Sequence, residues 1–514
     1  MITKKNMVKW LPLMAMALLI SSCNKFLEEQ PSKTSSLVVK TTAQLNALLD
    51  DYTQFFQEAS FPQINSTDDQ GLTVDLYNGS RGTFSHMPTV LFSFWDTQFI
   101  PDLTTDVLWR DEYKKIFTAN LALSYLDKIT GTEAEKAIIK ADAHFMRAYS
   151  YWILANTYCL PYTDANKNEM GLPIKTETAF DTPMERQSLE KTYQQIEADL
   201  AEALKTPVTL TQSGRPRHWR ASKAGVNGFA ARYYLNRNNN AKAIEHANAA
   251  LAEYSTLMDY NTDMRYQTPD QTITINSGTP QAQTVTLKYP YTHNPQNQSD
   301  YTDMINWKEF LYLRMLSNGS WWYIPSQELL NLYDKTNDLR YTYHIVESYS
   351  YDRGMIKPSY DYPGYLFFFK QWIPSGPTVA EMLLTKAEAQ ARSNDPSGAM
   401  TTLNTLRVKR FKTGSAYTLT ATGKDDAIKK VLEERRREMP FVQRWFDLRR
   451  YNNNDDPNDD VTLTKTFYPF NESNVLFNEP VKTYTLPKNS RRYAAPLPKT
   501  EIISSNGAIL QNTY

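Results

Sequence analysis

Nine side chains in this sequence are suited to holding a ligand. Trp95, Trp307, Trp321, Trp322 and Tyr323 lie in or beside stretches rich in Tyr, Thr, Asn, Pro and Gly. An indole face offers CH–π contact to the apolar face of a pyranose, and it suits a peptide side chain equally well. Asp68, Asp69, Asn78 and Arg81 precede Trp95 in the same stretch and could supply the flanking polar groups. A carboxylate or guanidinium can fix two vicinal hydroxyls at once, which a lone hydroxyl side chain does less well. Core packing is the competing use for each of these residues. Trp109 is set aside, because its helical register with Tyr113 and Asn120 makes it structural.

Patterns for catalysis are missing. His86, His144, His218, His246, His293 and His344 are scattered, and none forms an H-E-x-x-H pair. There is no G-x-S-x-G elbow and no phosphate loop. Adjacent carboxylates such as Asp68 and Asp69 say nothing about glycoside hydrolysis, which needs a set separation in space. Asp455, Asp456, Asn458, Asp459 and Asp460 are rich in oxygen ligands but lack the glycine and distal glutamate of an EF-hand. No metal site, cofactor or enzymatic activity is therefore expected. Arg435, Arg436, Arg437, Arg444, Arg449 and Arg450 would suit an anion. However, Glu433, Glu434, Glu438 and Asp447 lie at helical neighbour spacing and are expected to pair with them, with Trp445 packed inside.

Helices must position these groups. Apolar residues at three- and four-residue steps predict helices over Ala43 to Tyr52, Asp106 to Ile129, Glu133 to Tyr158, Leu189 to Leu204, Ser222 to Asn236 and Ala241 to Tyr254. Val379 to Arg392, Pro396 to Phe411 and Asp425 to Tyr451 follow near the C-terminus. Residues 55–105, 255–320 and 341–377 read as irregular, and their aromatic content marks them as ordered and functional. Ala231, Tyr234, Ala243, Ala247 and Ala250 fall at the small-residue positions of a tetratricopeptide unit, with Tyr234 filling the gap between helices. Ala387, Ala399, Leu403 and Leu406 give a weaker second match, and a generic helical hairpin is the alternative. Such repeats make scaffolds and concave faces.

The start of the chain reads as an export signal. Lys4, Lys5 and Lys9 precede an uncharged apolar run from Leu11 to Ile20, too short to span a hydrocarbon core needing ~20 residues. Ile20-Ser21-Ser22-Cys23 resembles a bacterial lipobox, in which the peptide is cut before the cysteine and the thiol is acylated. Residues 1–22 are then signal peptide and 23–36 a polar tether. Several acyl chains on Cys23 would anchor the protein stably in outer-membrane lipid. Without the signal lysines, 53 basic residues face 56 acidic ones, which argues against a nucleic-acid partner. Cys159, the other cysteine, then has no disulfide partner and reads as a small buried hydrophobe. The chain carries 33 Tyr, 22 Phe and 10 Trp, more than exposed platforms would need, so most must be core.

Several segments together resemble the SusD/RagB family of outer-membrane lipoproteins. They are the opening Cys23-Asn24-Lys25-Phe26-Leu27-Glu28, the helix Ala141 to Tyr158, and the stretches Ser326 to Arg340, Glu381 to Arg392 and Glu433 to Arg450. The closing Ala495-Pro496-Leu497-Pro498 with Glu501, and Asn512-Thr513-Tyr514, also fit. Pro440 and Val442-Gln443 depart from the pattern, and a proline there should kink or break the helix. The resemblance implies a mainly α fold built on tetratricopeptide-type repeats with a loop-rich ligand-binding portion. It divides the mature chain into an N-terminal region, 37–340, and a C-terminal one, 341–514. It further implies a surface protein seated on a SusC-type TonB-dependent transporter, non-catalytic, capturing glycans for uptake. Peptide or glycopeptide capture by the same kind of importer is one alternative. A tetratricopeptide adaptor without a small ligand is another.

Overall fold

The computed structural model describes residues 39–79, 81–95, 106–179, 184–268, 270–275, 278–288, 290–293, 302–319, 323–347, 362–369 and 371–514. Helix boundaries follow local capping chemistry. Thr41 opens α1 (Thr42–Leu49) with a capping box to Gln44, and Ser60 caps the short α2 (Phe61–Asn65). A further short helix is α3 (Met87–Ser93). Asp106 caps α4 (Val107–Tyr125), and Thr132 opens α5 (Glu133–Tyr158) with a second capping box to Glu135. Ser188 caps α6 (Leu189–Ala203), Ser222 caps α7 (Lys223–Asn236) and Asn239 caps α8 (Asn240–Glu253). Thr378 caps α9 (Val379–Arg392) and Asp395 caps α10 (Pro396–Arg407). Each such cap satisfies amides that the helix leaves open and contributes ~1 kcal/mol.

The helices stack as consecutive neighbours: α4 on α5, α5 on α6, α7 on α8, α8 on α9, α9 on α10. Every residue of α5 from Ala141 to Tyr158 except His144 is buried, so this helix runs through the centre of the molecule. Arg147 ties its neighbours together, donating to Asn120 on α4 at 2.7 Å and to both Asp199 oxygens on α6 at 2.6 and 2.9 Å. The expected tetratricopeptide pair is α7 and α8, with Ala231, Ala243, Ala247 and Ala250 fully buried between helices. Tyr234 stacks on His246 at 5.3 Å between ring centroids. Ala387, Ala399, Leu403 and Leu406 fill the α9–α10 contact in the same way. Small residues at these positions let the backbones approach closely. Cys159 is fully buried at the end of α5, and burial pushes its thiol pKa up.

Two expectations change in detail. The segment expected as one helix over Asp425 to Tyr451 is two, α11 (Lys424–Glu438) and α12 (Arg444–Tyr451). Pro440 has no amide to donate, and Phe441 at φ 65° turns the chain. The stretches expected to be irregular also hold short regular elements. A parallel pair joins Gln57–Glu58 to Met315–Ser317, which pairs antiparallel with Trp372–Pro374. An antiparallel hairpin forms at Gln271–Ile275 with Gln283–Leu287, and, outside those stretches, another forms at Leu463–Phe467 with Lys482–Leu486. No helix among the described residues is long and apolar enough to cross a membrane.

The arginine-rich C-terminal helices join remote parts of the chain. Glu434, fully buried, accepts from Arg340, Arg407 and Arg437. Glu438 holds Arg340 and Arg410, and Arg410 also holds Glu309. Arg450 is bidentate on Glu388 of α9, and Arg435 pairs with Asp447. Arg449 is held instead by the Tyr493 and Cys159 carbonyls. Pairing within the segment, as helical spacing suggested, accounts for Arg437 with Glu434 and Arg450 with Asp447. The other carboxylate partners come from elsewhere in the chain or across the turn. Burial would raise the pKa of Glu434, but its arginines outweigh that and hold its carboxyl well below the usual range.

Glu434→Gln would leave the buried Arg407 and Arg437 without a carboxylate, while Arg340 keeps Asp338 and Glu438, and is expected to cost about 3–5 kcal/mol of unfolding free energy, read from urea titration. A loss under ~1 kcal/mol would mean that the arginines find other partners. His344 gives a pH dependence. Its Nδ1–H donates to the Leu366 carbonyl at 2.9 Å and its Nε2 accepts from the Tyr260 hydroxyl at 3.0 Å, which fixes the neutral tautomer. Burial holds this imidazole down at about 3, and that of His218 at about 4. The unfolded chain binds these protons near 6.5, so both contributions are full above that pH and fade as the pH falls toward the folded values. His344→Gln is expected to be less stable at pH 7, yet to lose roughly 2 kcal/mol less than the parent between pH 7 and 5. Parallel stability curves for the two proteins would refute the buried neutral imidazole.

Candidate functional site

The site is built on the segment from Gln57 to Leu72. Its first residues form the parallel strand, α2 follows, and a turn leads to Asp68 and Asp69. Arg444 grips Asp68 through two bonds of 2.7 Å, and Arg436 donates to Asp69 at 2.6 Å. Asp69 also accepts the Phe441 amide at 2.8 Å, so the turn at Pro440 and the turn at Asp69 fix each other. Burial alone would raise Asp68, but Arg444 and Arg436 hold its carboxyl well below the usual range. The far wall is tied on by Ser326, which donates its amide to the Asp69 carbonyl and its hydroxyl to the Asp68 carbonyl, and by the Gly71 amide on Ile324.

A cleft of about 580 Å³ opens between this segment, the chain at 83–89, the start of α4, residues 317–319 and Ile324. That volume is in the range of pockets that enclose a small ligand. Ile64, Leu72, Leu108 and Ile324 make an apolar floor. Phe84 meets Tyr362 edge-on at 5.6 Å, and Phe61 stacks parallel to Phe92 at 5.4 Å. Gln57, Asn65, Gln70 and Asn318 bring amide groups to the wall, with Asp106 and Asp111 from the start of α4. Asp106 accepts the Leu108 and Trp109 amides at 2.9 and 3.2 Å. Burial pushes its carboxyl pKa up against those bonds and against that of the Tyr158 hydroxyl. Aromatic and aliphatic surface beside several donors and acceptors suits a ligand with one apolar face and a polar edge.

The side chains proposed from sequence are placed differently. Trp95 is 3% exposed, and its indole N–H donates to the Ser66 carbonyl at 2.9 Å. Trp307, also 3% exposed, lies edge-on to Phe367 and Phe368. Tyr323 is 1% exposed and donates to the Leu316 carbonyl at 2.7 Å. The expectation of open stacking platforms is corrected for these three: their faces are covered by core, because the irregular stretches bury apolar surface as the helices do. Asp68 and Asp69 are engaged by the two arginines and brace the cleft from behind. Asn78 and Arg81 form a separate exposed ledge, Asn78 against the Tyr468 hydroxyl at 2.9 Å and Arg81 over the Phe477 ring at 3.9 Å. Trp109 is buried against Tyr113 and Tyr158 as expected. Cys23, Trp321 and Trp322 lie outside the described residues. In the aspartate-rich run, Asp459 pairs with Arg392 and Asp460 with Lys488.

The cleft residues Phe61, Phe84, Tyr362, Asn65, Gln70 and Asn318 escaped sequence reasoning. All six fall in the three stretches singled out as irregular and aromatic, so the region was visible while the choice among its rings was not. The sequence carries no signal for which ring of an irregular segment faces solvent.

Comparison with known proteins agrees with this architecture. Residues 25–235 match a family profile described as starch-binding, associating with outer membrane, and residues 379–514 match the profile of the SusD family. No curated protein matches by sequence. A SusD superfamily protein from Bacteroides vulgatus is similar in structure at a TM-score of 0.61 and 14% identity, over 92% of this chain and 99% of its own. A SusD-like carbohydrate binding protein from the same organism gives 0.57 and 18%, over 91% and 97%. A laminarin binding SusD-like protein gives 0.53 and 17%, over 92% and 99%. With both profiles matched and the fold shared over nearly the whole length, the chain belongs to the SusD/RagB family of non-catalytic carbohydrate-binding proteins associated with the outer membrane.

Proposed function

We propose that this protein is the surface glycan-binding subunit of a SusC-type TonB-dependent importer, capturing oligosaccharides in the 580 Å³ cleft for uptake. The observation that carries the reading is the cleft itself, where aromatic edges and an apolar floor stand beside amide and carboxylate groups. A pyranose presents C–H groups on its faces and hydroxyls at its rim, which matches that division. Family membership supports the ligand class, as do the structural relatives described as carbohydrate binding and laminarin binding. Lipid on Cys23 holds the chain to the outer membrane, with residues 23–36 as tether. Capture of a peptide is the second reading, favoured by the floor of Ile64, Leu72, Leu108 and Ile324, which would take an aliphatic side chain.

Calorimetric titration of the soluble chain beginning at Asn24, against a panel of oligosaccharides and mixed peptides, tests this reading. One glycan class is expected to give heat with micromolar-range affinity. Phe84→Ala and Asn318→Ala should each weaken it by about tenfold or more, ~1.4 kcal/mol, without lowering the unfolding midpoint much. Trp95→Ala, by contrast, should lower the midpoint, because that ring is core. Heat from peptides alone would move the protein to peptide capture. Glycan binding untouched by both cleft variants would place the ligand elsewhere. Mass spectrometry of the membrane-extracted protein should find acyl chains on Cys23, and Cys23→Ala should release it to the soluble fraction.

A further inference from the structure

A second cavity lies on the other side of the Asp68–Arg444 tie. It is a groove of about 600 Å³ between the outer face of α11 and the loop that follows α12. Its floor is aliphatic: Ile428 and Leu432 from α11, Leu332, and Val461 from the loop. Its rim is acidic on both banks, with Asp425, Asp426 and Glu433 on the helix and Asp456, Asp459 and Asp460 on the loop. Neighbouring cations offset this charge only in part. Arg436 and Arg444 point their guanidinium groups inward to Asp68 and Asp69, leaving Lys429. Asp426, Asp459 and Asp460 have cations of their own in Lys430, Arg392 and Lys488. Asp456 shares Arg392 at a long 3.8 Å, and Asp425 and Glu433 make no ion pair among the described residues.

We infer that this groove docks a segment of a partner protein that presents lysine or arginine beside an aliphatic residue. Charge complementarity selects the occupant: the floor calls for an aliphatic side chain, and the helix bank, where Asp425 and Glu433 make no ion pair among the described residues, for cations. A metal ion is a poor fit, because the acids stand on opposite banks and no group of the described residues is arranged to hold one. A sugar is a poor fit as well, because the one aromatic ring in the lining, Tyr451, is buried. The inference does not depend on what occupies the cleft, since the two cavities share no lining residue.

Fluorescence polarisation of a labelled peptide carrying Lys-Leu pairs spaced by Gly-Ser, titrated with the full soluble chain, tests it. The peptide should bind saturably. Binding should weaken about tenfold in the Asp425→Asn, Glu433→Gln double variant, and weaken further as salt is raised. Leu432→Asn should weaken it without altering the salt dependence. Asp425 is exposed and Glu433 half-buried, so the unfolding midpoint of the double variant should hold; Leu432 also packs against the core beneath α11, so its variant is compared at a temperature where its own measured midpoint shows it folded. The same peptide with glutamate for lysine should not bind. Equal binding of the two peptides, no saturable binding, or binding indifferent to the double variant would overturn the proposal. So would dimerisation of the protein that the double variant abolishes, which would assign the groove to a second copy of this chain.

Discussion

Buried arginine–carboxylate pairing around α11 and α12 is the interaction on which the rest of the fold rests. A charge taken out of water is costly unless a partner of opposite sign meets it with good geometry. Glu434 and Glu388 are fully buried, and each is met by more than one guanidinium. Partners reach these helices from Asp68, Arg340, Glu388, Arg407 and Arg410, outside the two helices. The planar fork of arginine suits this work because it bonds two acceptors in fixed directions. The lattice therefore fixes orientation as well as contact, and a missing member would leave its partners stranded in low dielectric.

That orientation reaches the cleft directly. Asp68 and Asp69 are gripped by Arg436 and Arg444 on one side, while their backbone carbonyls hold Ser326 on the other. The loop segments that line the cleft carry little regular structure of their own. They are ordered by these ties and by apolar residues packed into the two large cores. Trp95, Trp307 and Tyr323 are spent in this way, as anchors for irregular chain. A binding surface made of loops gains precision when the loops are braced so heavily, because fewer degrees of freedom remain to be frozen by a ligand.

The helical repeats have a different part. Alanines at the α7–α8 and α9–α10 contacts allow close packing, and the bidentate Arg232–Glu381 pair at 2.6 and 2.7 Å locks α7 to α9. This half of the molecule needs no chemistry of its own. It gives the loops a rigid base and leaves the outer face of α11 uncovered, where the acidic groove lies.

Much of this was legible in the sequence, for a reason of scale. Helix ends at Glu133, Tyr158, Val379 and Arg392 are set by caps and periodicity within a few residues, and the structure returns them unchanged. The break at Pro440 follows from one missing amide. The alanine spacing of the repeats is likewise local and was read correctly. Pairings such as Arg444 with Asp68 join residues 376 positions apart, and no local pattern announces them. Burial of Trp95 and exposure of the cleft around Phe84 were decided in the same way, by which surfaces the assembled helices left uncovered. The sequence by itself determined the helices, the small residues between them and the family. The tertiary structure alone decided which carboxylate meets which arginine and which aromatic rings are free to meet a ligand, because both depend on contacts between distant parts of the chain.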